Sequence, residues 1–295
     1  MLNYGRHAGL EQKVRDIGGY LEGKKEALAQ VDRTGKLPPE VVHAFRQSGM
    51  FGLSVPTEYG GADFLATEVA RIQEVLGCEI SLAEFMNCNE SLGGCKAIMA
   101  HGTEEQKQKY LPQLSSGSLL GSLCLAEEAA GSDPSSVECT ARLSEDGNSY
   151  VLSGTKTWVP GAGEAGLFTV FAKLGMKNYL GENDSLVTAF LVDQTIGGVE
   201  VAVEPSRLAG LKGLDLRTVT FRDVRLPLDS VLGEPGQGLA VLASIVHCNK
   251  YLMAAGTLDC TGPCTVVHVQ WCLHFRLAGN DHQPTIVHCT LYSVQ

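Results

Sequence analysis

Leu123-Cys-Leu-Ala-Glu-Glu-Ala-Ala-Gly-Ser-Asp133 divides the chain in two: a short apolar run ends in a loop of very small residues. Before Gly121 hydrophobic residues recur every three or four positions, the period of a helix, and after it they alternate, the period of a strand. The apolar run therefore reads as the end of a strand. Ala-Ala-Gly-Ser-Asp reads as a loop whose small side chains let backbone N–H groups approach a phosphate or the electron-rich edge of a ring. A tight turn capped by a Ser or Asp side chain has the same composition, and spacing leaves both readings open.

Upstream, Leu10, Val14, Ile17, Leu21, Leu28 and Val31 form one stripe and predict a helix from Leu10 to Val31. A second helix is expected to open at Pro38-Pro39, where a missing N–H costs little, to turn Val41, Val42 and Phe45 to one side, and to stop at Gly49. Leu65, Val69, Ile72 and Leu76 predict a third, ending at Gly77, and a fourth runs from Ser81 to Ala100. Thr103-Glu-Glu-Gln106 has the spacing of a capping box and opens a fifth, with Leu111 and Leu114 facing inward. Residues 1–118 are expected to form an all-helical N-terminal domain.

Downstream, Tyr150–Val159, Leu167–Ala172, Leu186–Val192 and Thr218–Val224 read as strands separated by Gly, Asn and Asp turns. They predict a middle β domain over residues 119–235, closed as a small barrel or sandwich. Beyond the turn cluster Gly233-Glu-Pro-Gly-Gln-Gly238, the residues Leu239, Val241, Leu242, Ile245 and Val246 resume helical spacing, so 236–256 begins a further helical domain. The class is α+β with segregated domains, which favours a ligand site at the domain junction.

With 23 Lys+Arg against 33 Asp+Glu, a net charge of -10, the chain is not expected to bind nucleic acid or a basic-patch membrane surface. No unbroken run of eighteen apolar residues exists, so no transmembrane segment is expected. Without a signal-peptide core the ten Cys read as reduced thiols of an intracellular compartment, and residues 1–10, with Arg6 and no acidic residue, are too short for a transit peptide. Composition breaks near Gly256. Residues 257–295 carry only Asp259, Arg276 and Asp281 as charged side chains, yet hold four of the ten Cys and four of the eight His. Cys260 with Cys264, His268 with Cys272 and His274, and His282, His288 and Cys289 could suggest zinc. Pro263 interrupts the first pair and no two-residue Cys spacing occurs, so no metal site is assigned and the tail is expected to be poorly ordered.

Trp158 closes a predicted strand before Pro160-Gly-Ala-Gly163; its indole could stack on a planar cofactor or simply fill a core. The glycines do not match the dinucleotide fingerprint between strand and helix, and a Rossmann site is not expected.

Six ordered segments together carry a family resemblance: Gly49-Met-Phe-Gly-Leu-Ser-Val-Pro-Thr-Glu-Tyr-Gly-Gly61, His101-Gly-Thr-Glu-Glu-Gln-Lys-Gln-Lys-Tyr-Leu-Pro112, Leu125-Ala-Glu-Glu-Ala-Ala-Gly-Ser-Asp133, Leu152-Ser-Gly-Thr-Lys-Thr-Trp158, Leu167-Phe-Thr-Val-Phe-Ala-Lys173 and Val231-Leu-Gly-Glu-Pro-Gly-Gln-Gly238. Over residues 10–256 the chain resembles the acyl-CoA dehydrogenase family, in particular the very-long-chain subgroup with its complex I assembly relative. The resemblance implies an N-terminal helical domain, a middle β-barrel domain and a C-terminal helical domain that is mostly missing here. It implies FAD as cofactor, acyl-CoA as substrate, electron-transfer flavoprotein as partner and a mitochondrial location. By position, Leu123, Leu125 and Ala126 would line the flavin edge through backbone groups, Gly131 and Ser132 would meet the pyrophosphate, and Trp158 would pack on the isoalloxazine, with Pro160 in the same flavin segment; Ser132 would also pass the acyl-CoA.

Departures from the pattern set further expectations. Ala126 stands where the family has a flavin-bonding Thr, Pro160 replaces a Thr or Ser, Glu128 replaces a Pro, and Lys250 replaces an Arg. Each lost hydrogen bond costs about 1 kcal/mol, so several together weaken FAD binding by about a hundredfold or more. The family's catalytic Glu lies in the C-terminal helical domain, along with much of the oligomer interface. Residues 257–295 contain no Glu and only Asp259 and Asp281 as carboxylates, so no catalytic residue is assigned. The chain is expected to be either a catalytically incomplete homologue, as a truncated or alternatively spliced product, or a non-enzymatic binding and assembly protein.

Overall fold

The structure is a computed structural model, and it describes residues 4–177, 183–206, 208–258, 271–273 and 287–289. Residues 10–31 do not form the single expected helix. They form α1 (Tyr4–Glu22), α2 (Lys25–Leu28) and α3 (Val31–Thr34). The break falls at Gly23, inside the gap between Leu21 and Leu28 where the stripe has no apolar member, and Gly35, at a φ of 66°, ends α3. All six apolar positions are nonetheless buried, because the chain turns without rotating the stripe away from the core.

Helix α4 (Pro39–Gln47) opens and closes as read, with Gly49 in the left-handed region at a φ of 70°. Helix α5 (Ala66–Leu76) buries Val69, Ile72 and Leu76, whereas Leu65 is its exposed N-cap and not part of the stripe. The helix expected over 81–100 is interrupted: α6 (Ile80–Asn87) runs into a π-helical turn, Cys88–Leu92, and α7 (Cys95–His101) follows Gly93-Gly94. Helix α8 (Glu104–Ser116) has the expected capping box: Gln106 N–H donates to Thr103 Oγ1 at 3.2 Å and Thr103 N–H to Gln106 Oε1 at 3.0 Å. The Gln106 amide also donates to the carbonyls of Asp229 and Val231, tying this helix start to the β layer.

The sheet comprises β1 (Gly121–Cys124), β2 (Thr140–Leu143), β3 (Ser149–Pro160), β4 (Leu167–Lys177), β5 (Asn183–Asp193), β6 (Val199–Val201), β7 (Leu216–Pro227) and β8 (Val231–Leu232). Its order is β6-β7-β3-β2-β4-β5-β8, with β1 also on β4. The four predicted strands are present and longer than read. Strands β2, β6 and β8 are too short to show alternation and were not anticipated. The pairing that matters most is that of β1 and β2. Both run parallel to β4, Gly121 opposite Leu167 and Thr140 opposite Lys173, so the chain leaves the sheet after Cys124 and re-enters beside its own exit. Residues 125–139 are forced out of the sheet as a loop.

Helix α9 (Gly238–Leu258) packs on α5, α6 and α7. Gly238–Thr257 is long and apolar enough, by length and composition, to cross a membrane, which the search for an unbroken apolar run missed because His247, Asn249 and Lys250 interrupt it. A third of that window is buried inside the protein, Val241, Ile245, Leu252 and Ala255 among it. In residues 261–295, which form a separate unit, β9 (Trp271–Leu273) and β10 (Val287–Cys289) pair antiparallel, Cys272 opposite His288.

Two carboxylates of the helical layer are buried, Glu68 and, more deeply, Glu90. Glu90, on the π-helical turn and 4% exposed, accepts the Ser54 N–H at 3.1 Å and the Ser54 hydroxyl on Oε1, with Lys96 Nζ at 3.8 Å. Its Oε2 is buried with no partner among the described residues. Burial raises the Glu90 carboxyl above its ordinary range, opposed by Lys96 and Ser54. A raised folded value means that ionising the group costs stability as pH climbs past the ordinary carboxylate range. Glu90→Gln keeps the acceptor for Ser54 and removes that cost. Urea unfolding is expected to show the variant as stable as the parent or about 1 kcal/mol more so at pH ~8, with the difference vanishing near pH ~4; a large loss at pH ~8 refutes this.

Candidate functional site

The loop 125–139 lies across β3, and one side chain anchors it there. Lys156 occupies an inward position of β3 with Leu152 and is 0% exposed. Its Nζ lies 2.5 Å from Glu127 Oε1 and donates to the Leu125 carbonyl at 2.9 Å. The buried Glu127 carboxylate also accepts the N–H groups of Glu138 at 2.6 Å and Cys139 at 3.1 Å. Burial pushes this carboxyl up, but Lys156 and the two N–H donors outweigh it and hold Glu127 below the ordinary range. The pair thus fastens both ends of the loop to one strand.

The remaining bonds at the start of the loop are between backbone groups. The Ala126 carbonyl accepts the Thr157 N–H at 2.9 Å, and Glu127 and Ala130 exchange N–H to carbonyl bonds at 2.9 and 3.2 Å. The carbonyls of Leu125, Ala126, Glu127 and Ala130 are therefore all engaged. The N–H groups of Ala126, Glu128, Ala129, Gly131 and Ser132 have no partner among the described residues. All five residues are partly or fully exposed, and no atom lies within 4 Å of where a Gly131 Cβ would stand. The carbonyls of Glu128, Ala129, Gly131 and Ser132 have no partner among the described residues either, so the loop offers both donors and acceptors, and its N–H groups suit an anion or the carbonyl edge of a ring. Asp133 performs the other role read from the sequence. Its carboxylate accepts the Ser135 N–H at 2.9 Å and the Ser135 hydroxyl at 2.6 Å, bonds that keep its pKa low, and caps the 3-10 turn Pro134–Ser136. Turn and open loop are consecutive parts of one segment.

Beside this loop, Trp158 is 56% exposed and has a φ of 56° at an irregularity of the β3–β7 ladder between Lys156 and Val159. It does not fill the core; Val159, fully buried, does. A bulky residue in the left-handed region carries backbone strain, which clusters at binding sites. The neighbouring Thr157 hydroxyl is buried without a partner among the described residues. The Pro160 carbonyl is occupied by the Ser122 hydroxyl at 2.5 Å. An open cleft of about 490 Å³ runs along the loop, lined by Glu128, Ala129, Glu138, Gly154, Thr155 and Thr157 among others.

Of the residues singled out by sequence, Leu123 is on β1, Leu125, Ala126, Gly131 and Ser132 are on the loop, and Trp158 and Pro160 close the adjoining β3. The Thr157–Ala126 bond brings the start of the loop next to Trp158. These residues fit a flat ring joined to a phosphate: unpaired N–H groups, an exposed indole and an orphaned hydroxyl adjoin one another. Sequence reading missed Glu127 and Lys156; the available signal was a lone Lys at an inward strand position. Asp259, Asp281, Cys260, Cys264, His268, His274 and His282 lie outside the described residues. Among the described residues no three His, Cys, Asp or Glu side chains group as metal ligands.

The profile of the acyl-CoA dehydrogenase N-terminal domain matches residues 15–118, and that of the acyl-CoA dehydrogenase middle domain matches residues 122–224. The chain is 34% identical over 257 residues to a mitochondrial very long-chain specific acyl-CoA dehydrogenase of Rattus norvegicus, covering 86% of this chain and 39% of that protein. It is 33% identical over 257 residues to the mitochondrial short-chain specific enzyme of Bos taurus, covering 85% and 59% respectively. It is similar in structure to an acyl-CoA dehydrogenase complexed with FAD from Bacillus anthracis, with a TM-score of 0.73 at 29% identity over 85% of this chain and 42% of that one. Butyryl-CoA dehydrogenase from Megasphaera elsdenii gives a TM-score of 0.74 at 25% identity, covering 84% and 64%. The chain spans about two fifths of the length of the very long-chain relatives it matches. Two consecutive family domains are matched in order, and solved members share the fold across both the helical and the β portions: the chain belongs to the acyl-CoA dehydrogenase family.

Proposed function

We propose that the loop 123–132 and the strand end 158–160 bind FAD, and that the chain is a homologue of the acyl-CoA α,β-dehydrogenases in which cofactor contacts are weakened and residues 257–295, which hold no Glu, supply no base. The observation that carries this reading is the set of unpaired N–H groups on this loop beside the exposed Trp158. When bound, FAD supplies the hydride acceptor for the acyl β-carbon. The protein's part is to bind and orient. Gly131 and Ser132 offer N–H groups to the pyrophosphate, Leu123, Leu125 and Ala126 offer backbone at the ring edge, and Trp158 offers a stacking face; Ser132 also stands where acyl-CoA passes. Ala126 and Pro160 provide no hydroxyl, and Glu128 adds negative charge at the cleft. Relatives named mitochondrial support a mitochondrial location, and acyl-CoA and electron-transfer flavoprotein are the partners that the family suggests.

Purified chain titrated with FAD is expected to bind it, with an affinity about a hundredfold below that of a complete family enzyme. With a fatty acyl-CoA and a dye acceptor it is expected to show no flavin-dependent turnover. Robust turnover overturns the incomplete-enzyme reading; a chain that takes up no FAD overturns the flavin site. The missing hydroxyls at Ala126 and Pro160 favour a second reading, a non-enzymatic assembly scaffold, for which a colourless, stable, partner-bound protein is the expected result. Trp158→Ala tests the stacking face directly. Because the indole is solvent-exposed, its loss is expected to leave the unfolding midpoint nearly unchanged while weakening FAD by about tenfold, the equivalent of about 1.4 kcal/mol; unchanged FAD affinity removes Trp158 from the site.

A further inference from the structure

Resting on the flavin reading above, we infer that the buried Lys156–Glu127 pair is a positioning device for the phosphate-facing part of the loop, acting through Ala130 on the N–H groups of Gly131 and Ser132. A buried ion pair is an expensive way to hold a strand and a loop together, since apolar residues of equal volume generally hold them at least as well. What the pair provides here is direction. Lys156 Nζ meets both the Leu125 carbonyl and Glu127 Oε1, fixing two points of the loop to one ammonium. Glu127 then uses its carboxylate to collect the Glu138 and Cys139 N–H groups from the far end of the loop.

Its backbone exchanges two hydrogen bonds with Ala130, the residue immediately before Gly131 and Ser132. Gly131 has no atom within 4 Å of its missing Cβ, so the two donors are held through the chain on either side, by these bonds before them and by the Asp133 cap after them. Moving or neutralising the pair therefore turns Gly131 and Ser132 while leaving Trp158 on its own strand, where the β3–β7 ladder pairs Lys156 before it and Val159 after it. The effect is expected to fall on the phosphate end of a dinucleotide and to spare the ring end.

Two ligands separate the ends. FAD uses ring and pyrophosphate, whereas riboflavin has the ring alone. Affinities of both are measured by titration calorimetry for the parent chain, Lys156→Met, the Lys156→Met/Glu127→Met double variant and Glu127→Gln. The double variant restores apolar burial and keeps a folded comparison if Lys156→Met does not fold. The parent is expected to prefer FAD over riboflavin. The Met variants are expected to lose at least tenfold of that preference with riboflavin affinity within about twofold of the parent, and Glu127→Gln to fall between. An unchanged FAD to riboflavin ratio in the double variant, or equal weakening of both ligands, overturns the inference. Amide exchange of Glu138, Cys139 and Thr157 supplies a ligand-free readout, with faster exchange expected in the double variant and parent-like protection counting against the device. If the parent binds neither flavin, the flavin reading fails, and the exchange experiment still decides whether the pair orders the loop.

Discussion

Gly121→Ala is expected to destabilise the protein by more than about 3 kcal/mol, among the largest single-site losses available to it. A Cβ on Gly121 would stand 1.6 Å from the Gly93 carbonyl oxygen and 2.9 Å from the Gly93 Cα. Both are backbone atoms. Gly93 is itself pressed against Gly121, since a Cβ there would stand 2.6 Å from the Gly121 carbonyl oxygen. The contact joins the break between the π-helical turn and α7 to the first residue of β1, so relief requires separating the helical layer from the sheet. A flexible side chain could yield by rotation; two crossing backbones cannot. Gly175→Ala in β4 is the matched control, because nothing lies within 4 Å of its missing Cβ, and it is expected to be neutral or stabilising by up to about 1 kcal/mol. Urea unfolding of both variants measures the contrast, and equal stability of the two refutes the close-packed junction.

Lys156→Met has the second large effect expected, and it depends on pH. Removing the ammonium leaves the Glu127 carboxylate buried with only its two N–H donors, and breaking a buried pair in this way costs about 3–5 kcal/mol at neutral pH. In the parent protein burial raises the Glu127 carboxyl but Lys156, Glu138 and Cys139 together lower it further, so its net folded value lies below the ordinary range. That contribution is fully present above the ordinary carboxylate range and is lost as pH falls through the folded value. In the variant the carboxyl rises and takes up a proton earlier on acidification. The stability gap between the two proteins is therefore expected to be widest near pH ~7 and to narrow toward pH ~4. Denaturant midpoints at the two pH values decide the matter. A variant as stable as the parent at pH ~7 shows that the pair is dispensable to the fold.

Much of the fold is legible in local patterns. The runs of Val, Thr, Phe and Leu around Leu152, Val170 and Phe190 mark the strands, and the capping box at Thr103 and the left-handed Gly49 mark helix ends, because each depends on neighbours within one or two turns of chain. The readings that failed did so where remote backbone intervenes. The expected helix over 81–100 breaks at Gly93-Gly94 because β1 crosses there, and Gly121 lies 32 residues beyond Asn89, whose side-chain oxygen accepts its N–H. The stripe from Leu10 to Val31 kept its burial but not its continuity, since hydrophobic period reports the direction of a face and not the bonds of the helix that carries it.

The same division holds at the site. Composition and spacing alone determined that Ala129-Ala130-Gly131-Ser132-Asp133 is a small-residue loop and that Trp158 ends a strand beside it. Only the tertiary structure decided which N–H groups of the loop are left unpaired, that Trp158 is exposed and not core, and that Lys156 reaches Glu127. Those outcomes follow from β1 and β2 sharing β4 as a parallel neighbour, which expels residues 125–139 onto β3. Periodicity records which side of a segment avoids water, a property of the segment itself. Strand pairing and charge pairing between residues far apart in the chain are properties of how segments meet, and they take form only when the sheet assembles.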